Sequence, residues 1–131
     1  MNSQSALQGI PENVTIADLS RYIVQTNRKY DLSIIVSAYE FAVLAHGNQK
    51  RSSGEPYIVH PLSVAWILVS LGMDTECICA GLLHDVVEDT QYTMDDVCKR
   101  FGRNIAMLVD GVTKLVHMKY HALNKEEQQA A

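Results

Sequence analysis

Apolar residues recur at helical spacing along nearly the whole chain. After Asp31, the positions Ile34, Ile35, Ala38, Phe41, Ala42 and Ala45 fall three or four apart and line one face of an α-helix. Val64, Ile67, Leu68 and Leu71 repeat the pattern up to Gly72. Thr15-Ile-Ala-Asp18 and Thr93-Met-Asp-Asp96 resemble capping boxes with Asp in place of the usual Glu, and Asp31 and Asp74 are suited to cap two further helices. The spacing therefore predicts a helix from Thr15 to about Tyr30 and a second from Asp31 to Gly47-Asn48. A third starts at His60-Pro61, with proline in its first turn, and stops at Gly72. A fourth starts at Asp74-Thr75 and carries the acidic residues to Asp89, and a short fifth ends at Phe101-Gly102. A last one runs from about Ile105, breaks near Gly111 and continues through Leu115 and Val116. Residues 49–59 read as a loop with two serines, a glycine, a proline and the basic pair Lys50-Arg51. No strand-like alternation stands out, although Ile58-Val59 suits extended backbone; the expected fold is all-α.

With 131 residues the chain is one domain's worth, and 47% hydrophobic and 20% charged residues are ordinary for a globular protein. No apolar run approaches the roughly 20 residues of a membrane span. The start, MNSQSALQGIPEN, lacks the basic and apolar regions of a secretory signal, so a cytoplasmic location is expected. A net charge of -4 speaks against a general nucleic-acid surface but leaves room for an anionic small molecule bound at a local basic patch. Cys77, Cys79 and Cys98 are odd in number and contain no C-x-x-C pair, and the first two point about 200° apart on a helix, so free neutral thiols are expected. The tail NKEEQQAA is polar and carries no core face.

The candidate chemistry lies in His84-Asp85-Val-Val-Glu88-Asp89. On one continuous helix the four polar residues occupy about 140° of the circumference, with His84 over Glu88 and Asp85 over Asp89. This is either the solvated face of an amphipathic helix or a half-site for a divalent metal. A solvated face normally mixes in lysine, arginine and glutamine, whereas all four residues here are ligand or proton-transfer types. The carboxylates also crowd the helix's C-terminal end, where the macrodipole disfavours each by about 0.3–1 kcal/mol, a penalty that a bound cation would offset. His60 alone reads as a capping residue; joined to His84 and Asp85 it supplies two imidazoles and a carboxylate, a partial ligand set for zinc, iron or manganese. His46, His117 and His121 read as surface or helix-end residues, and Lys50 and Arg51 equally as a solvated loop end.

The stretch Ala45-His-Gly-Asn-Gln-Lys-Arg-Ser-Ser-Gly-Glu-Pro-Tyr-Ile-Val-His60-Pro61 resembles the opening signature of the RelA/SpoT homologues, which make and degrade the alarmones ppGpp and pppGpp. Ala80-Gly-Leu-Leu-His84-Asp85-Val-Val-Glu88-Asp89-Thr90 is similar to their HD-type hydrolase core, and Phe101-Gly102 and Val109-Asp-Gly-Val-Thr-Lys-Leu115 follow in register. The resemblance covers about 32–116. It implies an HD-domain helical bundle that removes the 3′-pyrophosphate of (p)ppGpp with manganese, giving GDP or GTP. His60, His84 and Asp85 would then bind the metal, Glu88 and Asp89 would position and deprotonate water, and Arg51 would contact the guanine. Ser53, beside Gly54, would shape the base pocket, and Lys50 would add phosphate attraction.

Two departures stand against this pattern. Many members carry a second basic residue after the arginine, where this chain has Ser52. The family's fourth metal ligand is an aspartate on a later helix, which is expected beyond Ala131, and the synthetase and regulatory domains of the long members are absent from these 131 residues. The expectation is a C-terminally truncated hydrolase domain, 1–131, weak or inactive by itself. Two alternatives stay open: an HD phosphohydrolase acting on another nucleotide, and a catalytically silent helical module that self-associates through the surface its missing helices would cover.

Overall fold

The computed structural model describes residues 13–47, 49, 50, 54 and 56–114. Their regular structure is helical: α1 Ile16–Gln25, α2 Leu32–His46, α3 Val59–Ser70, α4 Thr75–Leu83, α5 Val86–Asp89, α6 Met94–Phe101 and α7, 103–114. Among the described residues, extended pairing is limited to an isolated antiparallel bridge between Lys50 and Pro56, and no helix is long and apolar enough to cross a membrane.

Four of the helices, α1, α2, α4 and α6, begin where a local side chain satisfies exposed N–H groups of the first turn, whereas α3 and α5 start without a side-chain cap. Thr15 and Thr93 form reciprocal capping boxes with Asp18 and Asp96, and Asp31 and Asp74 accept from the backbone of Ile34 and Cys77. The turn after α2 uses Gly47 at φ 57°, a conformation that costs other residues more. Asn48, which shares that turn in sequence, lies outside the described residues.

Four boundaries depart from the pattern in the sequence. First, α1 ends at Gln25, not near Tyr30. The Thr26 hydroxyl donates to the Ile23 carbonyl, Asn27 turns to φ 57°, and the connector then docks elsewhere. There, Arg28 donates to the Val69 carbonyl and Tyr30 to that of Met73. Second, Ile58 has helical dihedrals, φ -61° and ψ -23°, so Ile58-Val59 leads into α3 and is not extended. Third, α7 passes through Gly111 without a break to residue 114, bridged there by a 3.0 Å Lys114–Asp110 ion pair one turn apart. Leu115, Val116 and the polar tail lie outside the described residues. Fourth, the helix expected from Asp74 to Asp89 is two: α4 ends at Leu83, His84 and Asp85 form a turn, and α5 follows.

The organising element is α4, whose residues 78–83 are buried on every side. A helix apolar all round belongs at the centre of a core, and α4 packs against both α2 and α3. Ile35, Ala38 and Ala42 of α2 and Leu62, Ala65 and Val69 of α3 surround it, and Val97, Ile105 and Val109 of α6 and α7 are likewise fully buried in the same core. Cys79 is buried there, and burial pushes its thiol up to about 12, while Cys77 is also raised. All three cysteines are free, as expected.

Gly81 permits the contact between α3 and α4. A Cβ at this position would lie 2.6 Å from Leu68 Cδ1 and 3.4 Å from Val64 Cγ1. Gly81→Val should therefore push α3 and α4 apart and lower stability by about 1–3 kcal/mol. Urea unfolding measures this directly; unchanged stability would mean that Leu68 repacks freely and the contact is not tight.

Candidate metal centre

Because α3 and α4 are joined by the short turn 71–74 and pack together, the start of one lies beside the end of the other. His60 sits in the first turn of α3 and His84 directly follows α4. Both imidazoles converge on one carboxylate oxygen, Asp85 Oδ2, at 3.4 Å from His60 Nε2 and 3.2 Å from His84 Nε2. One ligand atom from each of the three residues lies within 4.8 Å of the other two.

The hydrogen bonds fix the chemical character of this cluster. His84 Nδ1 is 2.7 Å from the Gly81 carbonyl, which can only accept, so Nδ1 carries the proton. In a neutral ring Nε2 then presents its lone pair to Asp85. A lone pair facing a carboxylate oxygen is repulsive unless a proton or a cation lies between them. One proton serves one such pair, whereas a divalent ion serves both imidazoles and the carboxylate together. Donation from the far ring nitrogen to a carbonyl is the usual way in which a ligating histidine is oriented. The residues therefore fit a first-row divalent cation.

His84 is only 5% exposed, which removes the reading of this segment as a solvated helix face. Its carbonyl, at the break between α4 and α5, accepts from the Thr113 hydroxyl of α7 at 3.2 Å. Glu88 and Asp89 lie on α5 and are exposed. Asp89 is tied to the loop before α3: the Tyr57 hydroxyl donates to its carboxylate, and Gln49 Nε2 donates to its carbonyl at 2.9 Å. Burial raises the Tyr57 pKa, reinforced by the hydrogen bond to Asp89 and by the charges of Asp85 and Asp89. The phenol therefore keeps its proton and remains a donor at neutral pH.

The structure thus brings together His60, His84 and Asp85, with Asp89 and Glu88 one turn further on. Lys50 is exposed at the bridge to Pro56. Arg51 and Ser53 lie outside the described residues, as do His117 and His121. His46 does end a helix, but it is buried at 3% exposure, not at the surface. The pattern of polar residues did not single out Gln49, Tyr57 or Thr113, because each acts by a contact across 29 to 40 positions of sequence.

A helical domain with paired histidines and an aspartate at the junction of two core helices defines a class, and sequence comparison agrees with it. A family model described as HD domain matches residues 38–131, and the chain belongs to that family. It is 54% identical over 92 residues to a guanosine-3′,5′-bis(diphosphate) 3′-pyrophosphohydrolase of Aquifex aeolicus, over 70% of this chain and 13% of that protein. It is 50% identical over 93 residues to the bifunctional (p)ppGpp synthase/hydrolase SpoT of Escherichia coli, over 71% of this chain and 13% of the relative. A GTP pyrophosphokinase of Streptomyces coelicolor matches at 46% over 113 residues, again 84% of this chain and 13% of the relative. The resemblance to RelA/SpoT homologues thus holds at high identity, and the chain spans 13% of the length of these curated relatives.

His84→Ala or Asp85→Asn should weaken divalent-cation binding by the full-length gene product at least about 10-fold, since even changes to the groups that orient a ligand cost that much. Isothermal titration calorimetry measures it. Unaltered affinity in both variants would place the ion elsewhere.

Proposed function

We propose that the chain carries the catalytic core of a manganese-dependent hydrolase that removes the 3′-pyrophosphate of ppGpp and pppGpp. The observation that carries this reading is the convergence of His60 and His84 on Asp85, with Asp89 held beside them by Tyr57. The activities printed in the names of the Aquifex and Escherichia relatives support the choice of substrate. The metal-bearing core lies within about 32–116, and cytoplasmic location belongs to the same reading.

In this proposal His60, His84 and Asp85 hold the cation, which when bound supplies Lewis acidity at phosphorus and a lowered pKa for the attacking water. Three protein donors leave room for a further donor and for substrate oxygen. Hydrolysis adds water across the ester between ribose and pyrophosphate: hydroxide goes to phosphorus and a proton goes to the 3′ oxygen. Asp89 and Glu88, on one short helix, are the groups that take the proton from water and return one to the leaving oxygen. Arg51 and Ser53 are proposed to hold the guanine, and Lys50, exposed beside them in sequence, to attract phosphate.

Asp89→Asn should reduce pyrophosphate release from ppGpp by about 100-fold or more, with the protein still folded. Chelation should abolish turnover and added manganese should restore it. Full activity in the Asp89→Asn protein, or faster turnover of an unrelated nucleotide in a substrate panel, would contradict the assignment.

A further inference from the structure

Behind the Asp89 carboxylate lies a buried group that the proposed chemistry does not use. His46 closes α2, and its ring stacks on Tyr57 with centroids 4.5 Å apart and planes 21° from parallel. His46 Nδ1 is 3.3 Å from Gln49 Oε1. An amide oxygen only accepts, so Nδ1 carries the proton and donates. Nε2 is buried and, among the described residues, has no hydrogen-bond partner. A leucine or phenylalanine would fill the same space without an unsatisfied nitrogen, so packing alone does not account for a histidine here.

Both neighbours of His46 act on the same residue. Tyr57 donates to the Asp89 side chain, and Gln49 donates to the Asp89 backbone. The stack sets the plane of the phenol ring, and hence the direction from which its hydroxyl reaches the carboxylate. The Nδ1–H holds the Gln49 amide by its oxygen, leaving its nitrogen aimed at Asp89. Asp89 itself ends a four-residue helix and is exposed, so nothing in its own element fixes its rotamer.

The geometry points to His46 as a positioning residue: with Gln49 and Tyr57 it forms a clamp that holds the Asp89 carboxylate in one orientation beside the metal ligands. The inference rests on Asp89 acting as a proton acceptor in hydrolysis. His46 touches Gln49 and Tyr57 and none of the ligand atoms directly; Tyr57 also meets the His60 ring edge-on, with centroids 6.5 Å apart, so ion affinity is the readout that separates action through Asp89 from action through the cation.

The test uses the full-length gene product with manganese and ppGpp. His46→Phe keeps the stack and removes the donor; His46→Asn places an amide N–H near the position of Nδ1 and removes the stack; His46→Ala removes both. The Ala variant should lose about 10- to 100-fold in kcat, and the other two should lie between it and the parent. KM and the calorimetric manganese affinity should stay within about twofold. In an Asp89→Asn background, His46→Ala should add less than about twofold, because the pathway already lacks its end. Full kcat in His46→Ala, an equal loss in the Asp89→Asn background, or a loss confined to ion affinity would each overturn the clamp. A parent protein that releases no pyrophosphate would instead reject the proposed activity. The clamp is then decided by nitrogen-15 NMR. Support is an Nδ1-protonated His46 with a Gln49 amide protected from exchange in the parent and unprotected in His46→Phe; an Nε2-protonated ring or an unprotected Gln49 in the parent sinks it.

Discussion

The approach of α3 to α4 at Gly81 is the constraint on which the site depends. The two helices leave a short turn side by side, and the missing side chain lets Leu68 and Val64 lie against the α4 backbone. Only then do the first turn of α3 and the end of α4 present their histidines to one carboxylate oxygen. Gly81 serves the site a second time, because its carbonyl fixes the tautomer of His84. Packing and ligand chemistry thus meet in a single residue.

The centre also explains why a helix ends inside a helical sequence. His84 and Asp85 retain helical dihedrals, φ -62° and -91°, so no glycine or proline breaks the chain there. The His84 ring takes the Gly81 carbonyl where the ladder would next accept, and the Thr113 hydroxyl of α7 lies between the His84 carbonyl at 3.2 Å and the Val109 carbonyl of its own helix at 2.9 Å. Across the interruption a buried histidine and a half-buried aspartate are followed, within one turn, by the exposed acids Glu88 and Asp89 of α5. A continuous amphipathic helix would have put all four polar residues on one solvated face.

Much of this was legible in the sequence, and the reasons differ by element. The starts of α1, α2, α4 and α6 follow from capping side chains that act within three residues, so the sequence states them directly. His60, His84 and Asp85 were legible as ligand types, and the resemblance to RelA/SpoT homologues joined His60 to a pair 24 positions away. The break after Leu83 was not legible, because no glycine or proline marks it and the dihedrals of His84 and Asp85 stay in the helical region. The burial of His46 lay in its spacing, four residues after Ala42 on the buried face of α2, but its polar type hid it, and the tie from Tyr57 to Asp89 joins a loop residue to one 32 positions away.

The central claim is that His60, His84 and Asp85 are joint ligands of one divalent ion. Anomalous diffraction from crystals of the full-length gene product grown with manganese, recorded on both sides of the manganese edge, tests it most directly. A single strong peak is expected in contact with His60 Nε2, His84 Nε2 and an Asp85 carboxylate oxygen. A peak bound only by Glu88 and Asp89, or no peak at this cluster when manganese saturates the protein, would contradict it.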